Sequence, residues 1–298
     1  MTTAIKTNAD SREAIQEADN PLGLDGIEFI EYTTSKPQAL GQVLEMMGFR
    51  PVARHRSREV RLYRQGGINV IVNAHEPALP DGNAPGDKPV IAALALRVRD
   101  AAAAYKRALE RGAWAVPPRV EVMELNIPAI HGVGKSRIYF VDRYDKFSIY
   151  DVDFVPIPTV DPRPPAVAGL HWFGIVQYIG AGRMDDWVGF HRELFGFVAL
   201  PDDVRFGILP KGRILKSPCA GFHLQLIEPP AAYADAEVDE EWQRIGLGTA
   251  DVVAAVRALR ARGVDFVDSA DAADSGRGAL TTSWLGGVMF ELVHDPRD

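Results

Sequence analysis

The sequence predicts an α+β fold of two domains, each a cupped and mostly antiparallel sheet made of paired βαβββ modules. Four amphipathic helices are expected, and each ends at a glycine: Gly48, Gly112, Gly196 and Gly263. A glycine just past the last turn adopts the left-handed conformation that closes a helix. Several strand-like runs follow every helix, which is typical of an α+β arrangement. The interval between glycines is similar in the two halves, so the chain repeats one module four times.

Each helix follows an alternating segment that reads as a strand. These segments are GIEFIEYTT and VIAALALRV in the first half, and WFGIVQYIG and WQRIGLGT in the second. Asp100 and Asp251 open the second helix of each half, and each stands twelve residues before the glycine that ends it. This match aligns Ala93 of the first half with Arg244 of the second.

A proline-rich stretch, VPIPTVDPRPPAVAG, marks the boundary between the halves. We expect a disordered tail at residues 1–19 and an N-terminal domain at 20–154. A linker at 155–169 then leads to a C-terminal domain at 170–298 that holds the ligand pocket.

Composition and charge exclude several functions. The 298 residues carry a net charge of −7, whereas a general nucleic-acid binder needs a basic face. No apolar run approaches the length of a membrane span, and the first residues lack the apolar core of a signal peptide. The single cysteine, Cys219, permits no disulfide within the chain and no cysteine-based zinc site. These features predict a cytoplasmic protein with no nucleic-acid or membrane partner.

Several long motifs carry a specific resemblance. They are NPLGLDGIEFIEYT and VMELNIPAIHGVGKSRIYFVDRY in the first half, and GRMDDWVGFHRELFGF at the start of the second. From about Asn20 onward the chain resembles the 4-hydroxyphenylpyruvate dioxygenase family of the vicinal-oxygen-chelate, or glyoxalase, superfamily. The resemblance implies two vicinal-oxygen-chelate domains and a role in aromatic compound metabolism. Function depends on the site rather than on the fold, so each site residue has to be compared in turn.

The resemblance implies an iron site in the C-terminal domain and a non-catalytic N-terminal domain. In the family, two histidines and one glutamate hold Fe(II) and leave positions open for substrate and oxygen. Glu291, in GVMFELVH, matches the glutamate. Arg244 stands at one histidine position, and the other falls on Ile175 or Gly174, depending on the register. Glu291 is therefore the only retained ligand position, and the iron site is expected to be degraded.

An arginine at an iron-ligand position changes the expected chemistry. Arginine stays protonated and offers no lone pair to a metal. Arg244 is expected to take over part of the metal's charge and to pair with Glu291, as a functional pair or as a structural ion pair. No cofactor is the favoured prediction. A substitute set in which His223 and His171 join Glu291 is left open, and with it Fe(II) or another divalent metal.

Strand alternation predicts which side chains share the C-terminal pocket. The predicted catalytic residues are Glu291 and His223, as proton carriers, and Arg244, as the charge that replaces the metal. Arg244 is also the predicted carboxylate receptor, because its fork of donors suits a carboxylate. The predicted substrate-binding residues are Arg244, Gln177, Gln225 and Ile175.

The other histidines are expected to lie outside this pocket. His191, within the helix that ends at Gly196, and His294, near the end of the chain, are expected at the surface. His55, His75 and His131 fall in the half that the resemblance implies to be non-catalytic.

Three functions remain as alternatives. The favoured one is a 4-hydroxyphenylpyruvate dioxygenase-like enzyme that acts on a small aromatic or keto-acid carboxylate by metal-independent acid/base chemistry of the lyase, dehydratase or isomerase type. The second is an Fe(II)-dependent keto-acid dioxygenase. The third is a non-catalytic small-molecule binding or resistance protein. The expected partner is a small-molecule carboxylate, and a homodimer and a homotetramer both stay open.

Overall fold

The computed structural model describes residues 20–75, 86–118, 124–204, 207, 212–230, 232, 239–267 and 276–296. The predicted tail at residues 1–19 lies outside these ranges. No helix in the described part of the chain is both long and apolar enough to span a bilayer.

The first half contains eight strands and three helices within the described ranges. In chain order they are β1 (Leu24–Thr33), α1 (Pro37–Met46), β2 (Arg50–His55), β3 (Val60–Gln65), β4 (Ile68–Asn73), β5 (Val90–Val98), α2 (Ala101–Glu110), β6 (Ala129–His131), β7 (Arg137–Val141), α3 (Ile149–Asp153) and β8 (Phe154–Pro156).

The second half contains seven strands and two helices within the described ranges. In chain order they are β9 (His171–Tyr178), α4 (Met184–Phe195), β10 (Val198–Ala199), β11 (Arg213–Lys216), β12 (His223–Ile227), β13 (Glu241–Thr249), α5 (Val252–Arg260), β14 (Gly278–Leu280) and β15 (Phe290–His294).

Each half forms one sheet, in the order β6-β7-β5-β1-β4-β3-β2-β8 for the first and β10-β11-β12-β9-β13-β15-β14 for the second. The two modules of a half meet at an antiparallel pair, β1 with β5 and β9 with β13. Parallel pairing occurs beside these central strands, and the outer strands pair antiparallel. The predicted α+β class and mostly antiparallel sheets are therefore confirmed.

The predicted helix boundaries are also confirmed. Asp100 and Asp251 cap α2 and α5, because each carboxylate accepts a hydrogen bond from the backbone N–H three residues on, at 2.8 and 2.9 Å. The glycines that close the four predicted helices all have positive φ. These local signals repeat because each of the four modules packs a similar helix on a similar sheet.

The two sheets share one hydrophobic core. It joins residues of the first sheet, such as Leu94 and Ile138, to residues of the second, such as Ile175 and Leu224, and to the helices. The predicted linker is wrong at its start, because Val155 and Pro156 belong to β8 and pair with β2. The rest of the segment is bonded to both sheets: Gly66 N–H donates to the Pro164 carbonyl at 2.8 Å, and the Thr249 hydroxyl donates to the Ala168 carbonyl at 2.9 Å.

Candidate functional site

A buried ion pair lies at the centre of the second sheet. Arg244 is on β13 and Glu291 is on the adjacent strand β15, and each is only 3% exposed. Arg244 Nε and Glu291 Oε2 are 3.5 Å apart. The predicted pairing of these two side chains is present in the structure. Two charges removed from water need each other, since the loss of hydration is otherwise uncompensated.

Arg244 has further acceptors on the neighbouring strand and on its own. Its Nη1 donates to the Tyr178 hydroxyl at 3.4 Å and to Gln243 Oε1 at 3.0 Å. Only the contact to Gln243 falls within the usual range for such a bond. The guanidinium therefore contacts three acceptors, and those to Glu291 and Tyr178 are at long distances.

The pocket beside this pair is small. His223 and Gln225 line it, as predicted, together with Phe173, Gly246 and Glu291. The Phe173 ring stacks on the His223 ring with centroids 4.8 Å apart. The cavity measures about 20 Å³, which is close to the space that one water molecule needs. Any larger ligand would have to displace side chains.

Two predicted members of the site lie elsewhere. Gln177 is fully buried on the other face of the sheet, where its Oε1 and His191 Nε2 are 3.0 Å apart. The prediction that Gln177 faces the pocket is wrong, and so is the expectation that His191 is at the surface. Burial lowers the pKa of His191 to about 3. Ile175 belongs to the shared core, although it also borders the pocket.

A bulge in β9 explains the error. Gly246 pairs with Gly174 but Leu247 pairs with Trp172, so Phe173 is an additional residue in β9. Side chains alternate along a strand, and one additional residue moves the following ones to the opposite face. Val176 therefore pairs with Arg244, and Gln177 points to the shared core.

The iron site that the resemblance implies does not fit the side chains present. The Arg244 guanidinium occupies the space beside Glu291, and arginine donates hydrogen bonds but has no lone pair for a metal. His171 Nε2 lies 3.1 Å from Asp295 Oδ2, so this candidate substitute ligand pairs with another carboxylate. Across the described ranges, no three or more His, Cys, Asp or Glu side chains group together to hold a metal.

Sequence reasoning missed a much larger cavity in the first half. It measures about 530 Å³ and opens on the face of the first sheet that points away from the shared core. The three histidines of this half, His55, His75 and His131, all border it. No pattern in the sequence marks this cavity, because its walls come from segments that are distant in the chain.

The comparisons with known proteins agree with the motifs. A family described as "Hydroxyphenylpyruvate dioxygenase, HPPD, N-terminal" matches residues 18–155. Hemolysin VllY of Vibrio vulnificus is 38% identical over 267 residues, which cover 84% of this chain and 74% of that protein. 4-Hydroxyphenylpyruvate dioxygenase of Pseudomonas aeruginosa is 36% identical over 273 residues, which cover 84% of this chain and 73% of that protein.

A solved structure has the same architecture over both halves. A variant of 4-hydroxymandelate synthase from Streptomyces coelicolor is 18% identical and superposes with a TM-score of 0.70. The superposition covers 91% of this chain and 93% of that one. At this identity the similarity supports the fold, and it carries no statement about the activity of this chain.

Proposed function

Because the chain belongs to the 4-hydroxyphenylpyruvate dioxygenase family, we propose that it binds a small aromatic or keto-acid carboxylate at Arg244 and transforms it by acid/base chemistry. The observation that carries the proposal is the buried pair of Arg244 and Glu291. It stands where the resemblance places two of the three iron ligands. The proposed enzyme therefore uses a fixed guanidinium charge at the position where relatives are expected to hold a cation.

Substrate binding would exchange one carboxylate for another. The contact between Arg244 and Glu291, at 3.5 Å, is longer than the 2.7–2.9 Å or so of a strong charge-assisted hydrogen bond. A substrate carboxylate with two oxygens in the plane of the guanidinium would make shorter bonds and displace Glu291. The exchange is also required by volume, because a cavity of about 20 Å³ holds no substrate unless lining side chains such as Glu291 move aside.

The displaced Glu291 side chain would then act as the proton carrier. It would lie beside the bound substrate, where a carboxylate serves as a general base. His223, stacked on Phe173 in the same pocket, is the second group that exchanges protons. Proton abstraction next to a carbonyl, followed by isomerisation or elimination, is the class of reaction that these groups support.

A second function is favoured by the size of the same pocket. A cavity that holds about one water, with Arg244 already contacted by three acceptors, also suits a protein that binds its ligand without converting it. Such a protein would return the ligand chemically unchanged. Turnover of any ligand would reject this alternative.

The test is a search for product formation by EDTA-treated protein. We expect 4-hydroxyphenylpyruvate or a related aromatic keto acid to be converted without added metal, as measured by mass spectrometry of the reaction mixture. Glu291→Gln should abolish conversion, and His294→Ala, at an exposed position of the same strand, is the matched control. Conversion that requires added Fe(II) and consumes oxygen would contradict the proposal and favour the keto-acid dioxygenase.

A further inference from the structure

The cavity of the first half has the dimensions of a ligand site. Its volume of about 530 Å³ falls within the range of roughly 300–1,000 Å³ that small-molecule pockets occupy. Its walls combine aromatic and aliphatic side chains with a few polar groups, which is the usual composition of such pockets. Neither the proposed function nor the resemblance assigns a ligand to this half.

Two alanines of the central strand lie between polar and aromatic side chains that border the cavity. Glu31 on β1 pairs with Ala93 on β5, and Ala93 pairs with Arg137 on β7. Paired residues point to the same face, so the two charged side chains flank a methyl group. Their backbones are two strand spacings apart, roughly 10 Å. The cavity is therefore bordered by a cation and an anion from the same face of the sheet.

Two residues further along the strands, an aromatic pair follows the same pattern. Phe29 pairs with Ala95, and Ala95 pairs with Tyr139. The rings of Phe29 and Tyr139 face each other across the alanine with centroids 6.0 Å apart. The two rings contact each other and cover Ala95, so a planar ring in the cavity would pack against the sides of these rings that border it. Aromatic rings favour such offset or tilted contacts at these separations.

The polar groups on β7 and on β1 differ in charge and in whether they donate or accept hydrogen bonds. On one side Arg137 Nη1 donates to the Tyr139 hydroxyl at 2.9 Å, and both side chains are half-buried in the cavity wall. Burial raises the pKa of Tyr139, so its hydroxyl stays neutral and keeps a proton to donate. On the other side Glu31 is buried and accepts a hydrogen bond from Asn73 Nδ2 at 2.9 Å. One side therefore binds an anion, and the other accepts a hydrogen bond.

Another part of the cavity wall contains polar side chains that pair with one another. Arg58 Nε donates to Glu124 Oε1 at 2.8 Å, so their charges compensate each other. His55 lies 3.9 Å from the same carboxylate oxygen, and burial lowers its pKa. These side chains form a polar wall without adding a net charge. The Arg137 guanidinium and the Glu31 carboxylate, which flank Ala93, thus provide the directional contacts to a ligand.

We infer that the first half is a second small-molecule site, which binds an aromatic compound that carries a carboxylate and a hydroxyl group. The carboxylate binds Arg137 and the Tyr139 hydroxyl, the ring packs against Phe29 and Tyr139, and the hydroxyl donates to Glu31. This site is separate from the proposed C-terminal one, and its arginine comes from β7 instead of the central strand. A hydroxyl is favoured over an ammonium because Asn73 already donates to Glu31.

The test is isothermal titration calorimetry with 4-hydroxyphenylacetate on the full chain carrying Arg244→Gln, which removes the carboxylate receptor of the other half. We expect one binding site. Ala93→Arg, which places in the first half the residue that the second half has, should abolish that binding. Arg137→Gln should weaken it by about tenfold or more, because a charge-assisted pair is lost. Arg61→Gln, at an exposed position of the same sheet, is the control.

Ligands that lack one group separate direct contact from a general effect on folding. Arg137→Gln should leave the affinity for 4-methylphenol unchanged, because this probe has no carboxylate. Glu31→Gln should likewise leave the affinity for phenylacetate unchanged, because this probe has no hydroxyl. Equal losses for all probes would overturn the assignment of these contacts.

Three results would overturn the inference. They are no binding by the Arg244→Gln chain, unchanged binding in Ala93→Arg, and tighter binding of tyramine, which has an ammonium in place of the carboxylate. If Arg244→Gln impairs folding, the wild-type chain serves as background, and Ala93→Arg should remove one site from the measured stoichiometry. If a folded Arg244→Gln chain has lost all binding, this inference is overturned and the proposed function is unaffected.

Discussion

The two halves of the chain share a fold but differ at the middle of the central strand. Ala93 and Arg244 are each the fourth residue of a nine-residue strand, β5 in the first half and β13 in the second. The first sheet borders a cavity of about 530 Å³ and the second one of about 20 Å³. Arg244 and its ion pair occupy this face of the second sheet, whereas Glu31 and Arg137, which flank Ala93, border the cavity of the first. The half with the larger pocket is thus the one for which the resemblance implies no catalysis.

The halves also differ where their first helix packs on the sheet. Val43 in α1 and His191 in α4 stand at the same distance from the glycine that ends each helix. Val43 belongs to the apolar core, whereas His191 pairs with Gln177 inside it. The second half therefore contains buried polar pairs on both faces of its sheet.

Removing the arginine should have the largest effect. Arg244→Met leaves Glu291 buried without the guanidinium, and we expect the free energy of unfolding to fall by about 3 kcal/mol, the usual cost of breaking a buried ion pair. Urea unfolding at neutral pH measures it. The double variant Arg244→Met with Glu291→Leu should recover most of the loss, because an apolar pair of similar volume replaces the charges. A loss below about 1 kcal/mol, as for an exposed pair, would show that water reaches these side chains.

Acid should weaken the second half through His191. The pKa of this buried imidazole is lowered from 6.5 to about 3, so the unfolded chain binds a proton between these pH values and the folded chain does not. The free energy of unfolding should therefore fall as the pH falls through this window, by up to about 1.4 kcal/mol per pH unit and about 2 kcal/mol at pH 5.

The measurement is urea unfolding at pH 7, 6 and 5. The double variant His191→Leu with Gln177→Leu removes both members of the pair, so no polar group is left without its partner. Its free energy of unfolding should depend less steeply on pH than that of the wild type. Identical slopes for the two proteins would mean that another group takes up the proton.

The helix caps should have the smallest effect and should be equal in the two halves. Asp100 and Asp251 make the same bond, at 2.8 and 2.9 Å, so Asp100→Ala and Asp251→Ala should each cost about 1 kcal/mol. Thermal unfolding followed by circular dichroism measures both. A clear difference between the two variants would mean that the halves unfold separately, with only one of them limiting the measured transition.

Local signals made the repeat predictable from the sequence. The carboxylates of Asp100 and Asp251 bond to the first helical turn, and Gly112 and Gly263 adopt positive φ at the helix ends. Both features depend on residues close to each other in the chain. Arg244 and Glu291 were also predicted as partners, because the resemblance places both at ligand positions of one iron site and a buried charge needs a counter-charge.

The side of the sheet to which the β9 residues point was not predictable. Nearly all of β9 is buried, since one face covers the core and the other borders the small pocket. A strand buried on both faces has no polar–apolar alternation from which to determine its register. The bulge at Phe173 therefore had no signature, and Gln177 was assigned to the wrong face.

The sequence by itself determined the order of strands and helices, their caps and ends, and the presence of alanine in one half and arginine in the other at the same position. These depend on contacts between near neighbours and on the chemistry of single side chains. Only the tertiary structure decided which faces meet, where Gln177 and His191 pair, and that the first sheet borders a large cavity. Those depend on pairing between distant strands, and the volume between side chains exists only once the sheets are closed.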